Sequence, residues 1–238
     1  MTTLFTMNEP LTTLLENSPP ELIMYDLDGT LVDSVPDLAV AIDKMLKGLG
    51  RTPAGEAKTR LWVGNGIPPL VKRALADDMK GYQPGVVDAS LFEQAHKRFR
   101  HHYGKELGLH SHLYPGVTEF LQVISARGHR QAVITNKSQE FTERLLKLMG
   151  IHQHFDLFLG GDSLPEKKPH PMPLLHAIQH FGATRETALM IGDSSNDIKA
   201  ARAAGVKVVG LPYGYNHGEP IEHANPDLVV PTLTDLIQ

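Results

Sequence analysis

There is no cysteine among the 238 residues. Disulfides, thiolate nucleophiles and cysteine-based zinc sites are therefore excluded. Long apolar runs are missing too, since no stretch approaches the roughly 18 residues that a membrane span needs. No tract is of low complexity. Neither sign of charge dominates: 23 Lys and Arg face 27 Asp and Glu, for a formal net charge of −4 and a pI near 6.3. Such a balance gives no general attraction for nucleic acid or for an anionic membrane surface. A small anionic substrate would need a local positive site. The segment Met1 to Pro20 lacks a basic start and has only short apolar runs such as Leu11 to Leu15, so it does not read as a signal peptide. The expectation is a cytoplasmic chain with no membrane or nucleic-acid partner, a monomer or homodimer. Met7 is an alternative start, and residues 1–19 are expected to form a loosely packed extension.

What the chain does contain is a sufficient core. Hydrophobic residues make up 41% and charged residues 21%, which places it among globular proteins of one large domain or a core with one insertion. Glu21 to Leu27 reads as a buried strand running into the polar turn Asp28-Gly29-Thr30. Apolar residues at Leu38, Ile42, Met45, Leu46 and Leu49 have helical spacing. From about Arg51 to Ser111 the texture is helical, over Pro68 to Met79 and Ala89 to Glu106, with turns at Gly64-Asn65-Gly66 and Pro84-Gly85 and no evident strand. After Tyr114-Pro115-Gly116, helices and strands alternate. Strands are expected at Gln131–Thr135, Phe155–Leu159, Ala188–Gly192, Val206–Leu211 and Leu228–Val230, with helices between them. Short apolar strands alternating with helices imply a parallel sheet covered on both faces. The expected architecture is thus α/β, a Rossmann-like parallel core over 20–34 and 112–238, with a small all-helical cap inserted over 35–111.

In an open sheet of this kind ligands bind beyond the carboxyl ends of the strands. The polar residues there are Asp26, Asp28 and Thr30; Thr135, Asn136 and Lys137; Asp162; and Asp193, Ser194, Asn196 and Asp197. Carboxylates gathered at one edge repel one another unless a divalent cation sits among them. An oxygen-only set with neither Cys nor His suggests magnesium. Taken singly, each acid can equally be a helix cap, and Ser194 reads as the cap of the helix that follows it.

The run Asp26-Leu27-Asp28-Gly29-Thr30-Leu31-Val32-Asp33-Ser34 resembles the first motif of the haloacid dehalogenase superfamily. Thr135 within VITNK, Lys168 within KKPHP, and Gly192-Asp193-Ser194-Ser195-Asn196-Asp197 resemble its later motifs, in order, over roughly Glu21 to Val230. The resemblance implies roles. Asp26 would be the nucleophile, ionised at neutral pH without a base. Asp28 would protonate the leaving alkoxide and then deprotonate the hydrolytic water. Thr135 and Asn136 would hold phosphate oxygens, and Lys168 would neutralise nucleophile and phosphate together. Asp193 would hold Mg2+ with Asp26 and the backbone carbonyl of Asp28, while Asp197 supports that shell or orients Lys168. Gly29 would let the backbone turn closely around the phosphate. Dehalogenase-like and phosphonatase-like members lack an acid at the Asp28 position, so its presence implies cleavage of a C–O–P ester. Lys167 reads as solvated. Lys137 is open between substrate contact and surface.

Arg60-Leu61-Trp62-Val63-Gly64-Asn65-Gly66 resembles the cap loop of phosphoglycolate phosphatases, with LVDSVPDL and KKPHP adding to the likeness. It implies that Arg60, Gly64, Asn65 and Gly66 meet the carboxylate of a substrate; alternatively Trp62 packs the cap and the glycines only turn the chain. The histidines at 101, 102, 110 and 112 lack acidic or Cys partners in sequence and do not read as a metal site. The implied reaction is Mg2+-dependent hydrolysis of 2-phosphoglycolate through an aspartyl-phosphate. The alternatives are a broader sugar phosphate or pyrophosphate phosphatase, a hexose-phosphate mutase, and a non-catalytic protein on the same fold.

Overall fold

The first apolar run forms β1 (Leu22–Tyr25) in the computed structural model, which describes Leu14, Leu15 and residues 19–237. The chain then makes β2 (Val32–Asp33) and enters four helices: α1 (Val35–Lys47), α2 (Gly55–Trp62), α3 (Ile67–Ala76) and α4 (Ala89–Glu106). It leaves them through β3 (His112–Leu113), which pairs antiparallel with β2, Val32 opposite Leu113 and Asp33 opposite His112. This two-stranded ribbon lies at the junction of cap and core. The remaining elements alternate: α5 (Val117–Ala126), β4 (Arg130–Ile134), α6 (Gln139–Leu148), β5 (Leu157–Leu159), α7 (Met172–Phe181), β6 (Ala188–Gly192), α8 (Ser195–Ala204), β7 (Lys207–Gly210) and β8 (Leu228–Val229). Six strands form one sheet in the order β5-β4-β1-β6-β7-β8, every pairing parallel. The α/β class with a helical cap is as expected.

The sheet is buried on both sides because its strands send alternate residues to two cores. Ile23 and Tyr25 of β1, Val133 of β4 and Leu189 and Ile191 of β6 join one cluster. Leu22 and Met24, Ala132 and Ile134, and Ala188 and Met190 join the other, against Leu174, Ile198 and Ala201 of α7 and α8. The first cluster runs on into the cap, where Leu38, Ile42 and Met45 of α1 meet Leu70 and Val71 of α3 and Ala95 and Phe99 of α4. Cap and core therefore share an apolar interior, with about 25 cal/mol for each Å² withdrawn from water holding the two together.

Several sequence expectations need adjustment. The segment around Arg60 to Trp62 is the last turn of α2, not a loop; the loop proper is Val63 to Gly66. The third core strand begins at Leu157, because a 3-10 turn over His152–His154 occupies the approach to it. β3 is too short to have a periodic signal. The expectation for residues 1–19 falls outside the described residues except at Leu14, Leu15 and Pro19; Leu15 is buried in the larger core.

Candidate active site

Parallel registry brings the predicted residues to one edge. Tyr25 is level with Val133 on one side and with Ile191 on the other. Asp26 thus leaves the central strand beside the ends of β4 and β6, where Thr135 and Asp193 follow. The Asp26 N–H still donates to the Ile191 carbonyl (3.0 Å), the last ladder bond before the turn. Gly29 then takes φ +91°, and a Cβ there would stand 2.2 Å from Asp193 Oδ2. Only glycine allows both the left-handed backbone and this approach.

Three carboxylates converge. Ligand atoms of Asp26, Asp193 and Asp197 lie within 4.8 Å of one another, and all three residues are buried. Asp193 is oriented by Thr30 Oγ1, which donates to its Oδ1 (2.5 Å), and by the backbone N–H of Tyr215 on its Oδ2 (2.6 Å). Asp197 Oδ2 accepts from the Ser194 N–H (3.0 Å) and hydroxyl (2.8 Å), a capping box at the start of α8. Its other oxygen accepts from Lys168 Nζ at 2.6 Å, and the same Nζ lies 3.0 Å from Asp26 Oδ1. Lys168 is thus a buried cation between two buried anions, and Asp197 orients it.

The electrostatics follow from burial. Loss of hydration pushes the Asp26 carboxyl up to about 6; Lys168 pulls it down, and Asp197 and Asp28 push it further up. Asp193 is raised well above the carboxylate range by burial, then by Asp26 and Asp197. Burial works against the Lys168 ammonium, but Asp197 and Asp26 outweigh it and raise its pKa. A buried cluster whose anions crowd together and raise one another's pKa, with oxygen donors only, suits a hard divalent cation.

Asp28 sits beside this cluster. Its Oδ1 accepts from Ser34 Oγ (2.6 Å), and Lys137 Nζ reaches both its oxygens at 2.9 and 3.0 Å. Lys137 is buried, not on the surface. Thr135 and Asn136 line the same cavity, along with Asp26, Asp28 and Lys137. Asn136 Nδ2 donates to the carbonyls of Gly64 (3.0 Å) and Lys168 (2.9 Å), tying the cap loop, the turn after β4 and the Lys168 loop together.

The cap loop is held in place through its backbone. The Gly64 carbonyl also accepts from Asn196 Nδ2 (3.2 Å), and the Asn65 carbonyl accepts from Lys167 Nζ (2.9 Å). Lys167, expected to be solvated, is half-buried in this contact. Of the four residues expected to meet substrate from the cap, Gly64 and Gly66 line the cavity; Arg60 and Asn65 are not among its lining residues. Asn65 Oδ1 is occupied by Arg73 (2.9 Å). Arg60 is paired with Asp33 (3.1 Å) and Glu56 (2.9 Å) and stacked 5.0 Å over the Tyr215 ring. Asp162 lies outside the cluster, where it accepts from the Gln139 N–H and caps α6 (2.7 Å). Among the described residues no histidine joins a metal-ligating group.

Sequence reasoning passed over Ser34, Tyr103 and Tyr215. Ser34 stands in the quoted first motif, so its signal was present. Tyr103 and Tyr215 reach the site only through tertiary folding, Tyr103 from the cap helix α4 and Tyr215 from the loop after β7.

Comparisons with known proteins place the chain in a family. The family model described as "Haloacid dehalogenase-like hydrolase" matches residues 23–211. The chain belongs to the haloacid dehalogenase-like hydrolases. A protein of Nitrosococcus oceani named "Phosphoglycolate phosphatase" is 50% identical over 217 residues, 91% of this chain and 95% of its own. A protein of the same name from Pseudomonas putida is 48% identical over 94% of this chain and 81% of its own. The crystal structure of a "predicted phosphoglycolate phosphatase" from Haemophilus somnus superposes with a TM-score of 0.85 at 40% identity, covering 92% of this chain and 96% of that one. With relatives this similar over nearly their whole length, the chain is a phosphatase.

Proposed function

We propose that this phosphatase hydrolyses 2-phosphoglycolate to glycolate and phosphate through a phosphorylated Asp26, with Mg2+ bound at the carboxylate cluster. The observation that carries the reading is the convergence of Asp26, Asp193 and Asp197 on one point with Lys168 wedged among them. It is supported by the names of relatives sharing about half of its residues. Asp26, Asp193 and the Asp28 backbone carbonyl would hold the metal, which when bound offsets phosphate charge as a Lewis acid. The Asp26 carboxylate attacks phosphorus and the P–O bond to the alkoxide breaks. Asp28, adjacent and partly solvated, gives the alkoxide its proton. Water then attacks the acyl phosphate, Asp28 takes the proton of that water, and free phosphate leaves Asp26 as a carboxylate. Thr135 Oγ1 and the backbone N–H of Asn136 hold phosphate oxygens, since both Asn136 side-chain N–H groups go to the Gly64 and Lys168 carbonyls, and Lys168 balances the charge of Asp26 and phosphate together. Gly64 and Gly66 close the site from the cap and exclude water. Arg60 and Asn65 serve that closure at one remove, through Asp33, Tyr215 and Arg73. The core over 20–34 and 112–238 carries the chemistry and the cap over 35–111 the selection, in a cytoplasmic monomer or homodimer acting on a small phosphorylated metabolite. Among the described residues no helix is long and apolar enough to cross a membrane.

The test is phosphate release from 2-phosphoglycolate, glucose phosphates, pyrophosphate and an aryl phosphate, with and without Mg2+. The reading expects metal-dependent release, with kcat/KM for 2-phosphoglycolate at least about tenfold above the rest. Equal rates across the panel would remove the selectivity; interconversion of hexose phosphates without release would replace hydrolysis by a mutase reaction.

A further inference from the structure

Building on the phosphoglycolate reading, we propose that the carboxylate of the substrate is received by a pair that spans core and cap, Lys137 and Tyr103. A phosphate monoester with a carboxylate on the adjacent carbon brings a second anion into the cavity, and an unpaired anion there would lose hydration without compensation. The cap wall offers it little. Leu38, Val63, Ile67 and Leu70 are apolar, and Gly64 and Gly66 present backbone. Arg60, the cation that the cap sequence suggests, is paired with Asp33 and Glu56 and does not line the cavity. Lys168 is held between Asp26 and Asp197, at the phosphate. Lys137 is the remaining cation among the lining residues.

Its position fits. Lys137 Nζ lies 2.9 and 3.0 Å from the two oxygens of Asp28, the acid that protonates the leaving oxygen in the proposed reaction. In 2-phosphoglycolate the carboxyl carbon is two bonds from that oxygen, so an anion beside Asp28 is within reach of Nζ. Tyr103 completes the pair. Its hydroxyl accepts from Lys137 Nζ at 2.6 Å, and it lines the same cavity. The hydroxyl makes no other hydrogen bond among the described residues, so its proton is left without an acceptor in a fully buried side chain. A cation and a spare O–H donor, both facing one cavity, make a carboxylate seat. Because Tyr103 belongs to α4 and Lys137 to the core, the seat is complete only with the cap in place.

The discriminating experiment compares 2-phosphoglycolate with ethyl phosphate, which has a methyl group in place of the carboxylate. It uses the full-length chain and its Lys137→Gln, Lys137→Arg and Tyr103→Phe variants, with Mg2+. For Lys137→Gln we expect kcat to fall on both esters, because Lys137 also contacts Asp28, while KM rises about 10- to 100-fold for 2-phosphoglycolate and changes less than about threefold for ethyl phosphate. Lys137→Arg should recover part of the loss, and Tyr103→Phe should cost about 3- to 10-fold on 2-phosphoglycolate alone. Ethyl phosphate turnover reports on folding and on the phosphate machinery in every variant. Equal rises in KM for both esters, or a fall in kcat alone, would assign Lys137 to Asp28 and overturn the carboxylate seat, leaving the phosphatase reading intact. Failure of the unaltered protein to release phosphate from either ester would overturn both.

Discussion

Lys168→Met isolates the charge at the centre of the site while keeping most of the side-chain volume. Lys168 is 1% exposed, 2.6 Å from Asp197 and 3.0 Å from Asp26, and Asp197 is fully buried. Removing one partner of a buried ion pair costs about 3–5 kcal/mol, mostly because the surviving charge has neither water nor counter-ion. Two carboxylates are stranded here, so the upper part of that range is expected. For a chain of this size each kcal/mol moves Tm by about 2–4 °C, which gives a fall of about 6–20 °C. The assay is differential scanning calorimetry of metal-free protein near pH 7. A second variant, Lys168→Met with Asp197→Asn, removes one stranded charge and should recover about 0.5–3 kcal/mol relative to additivity. A single variant within about 2 °C of the unaltered protein, or a double variant that is merely additive, would refute the argument that Lys168 neutralises this cluster.

Other outcomes follow from the same geometry. Asp26→Asn should lower turnover by about 10⁴-fold or more, with circular dichroism unchanged; near-normal rates in protein verified free of deamidation would exclude it as nucleophile. Gly29→Ala should raise the Mg2+ concentration for half-maximal activity by at least about tenfold, since its Cβ would displace Asp193 Oδ2, 2.2 Å away. Metal-free protein should lose stability as pH rises from about 4 to about 6. Burial raises the Asp26 pKa from 3.8 to about 6, so the native state holds a proton that the unfolded chain has released. That contribution is complete below the unfolded value and gone above the folded one, at most about 3 kcal/mol. Unfolding midpoints in urea across that range, with EDTA present, should fall, and a flat or rising profile would contradict it.

How much of this was legible beforehand differs by element. β1 and β6 were readable because a doubly covered parallel strand is a short unbroken apolar run, and the acids that follow each run fall at the carboxyl edge by topology alone. Ser194 was readable as a cap because a serine opening a helix is a local pattern, whereas the part of Asp197 in the capping box emerged only from the structure. α2 was harder, since Gly55–Trp62 is two turns with few buried positions, Thr59 and Trp62 among them. β3 was not readable, because two residues carry no period.

The sequence by itself determined the chemistry available: which carboxylates, which hydroxyl and which lysine stand just past the strands, and the absence of any thiol to compete with them. Only the tertiary structure decided the division of labour among the cations. Arg60 and Lys137 are both basic residues near glycines or motifs, and nothing local distinguishes them. Packing does, because Asp33, Glu56 and Tyr215 surround Arg60, while Asp28 and Tyr103 draw Lys137 into the cavity. The pairing of a buried charge depends on which chain segments the fold brings within about 4 Å of it, and the partners of Lys137 stand 109 and 34 residues away along the chain.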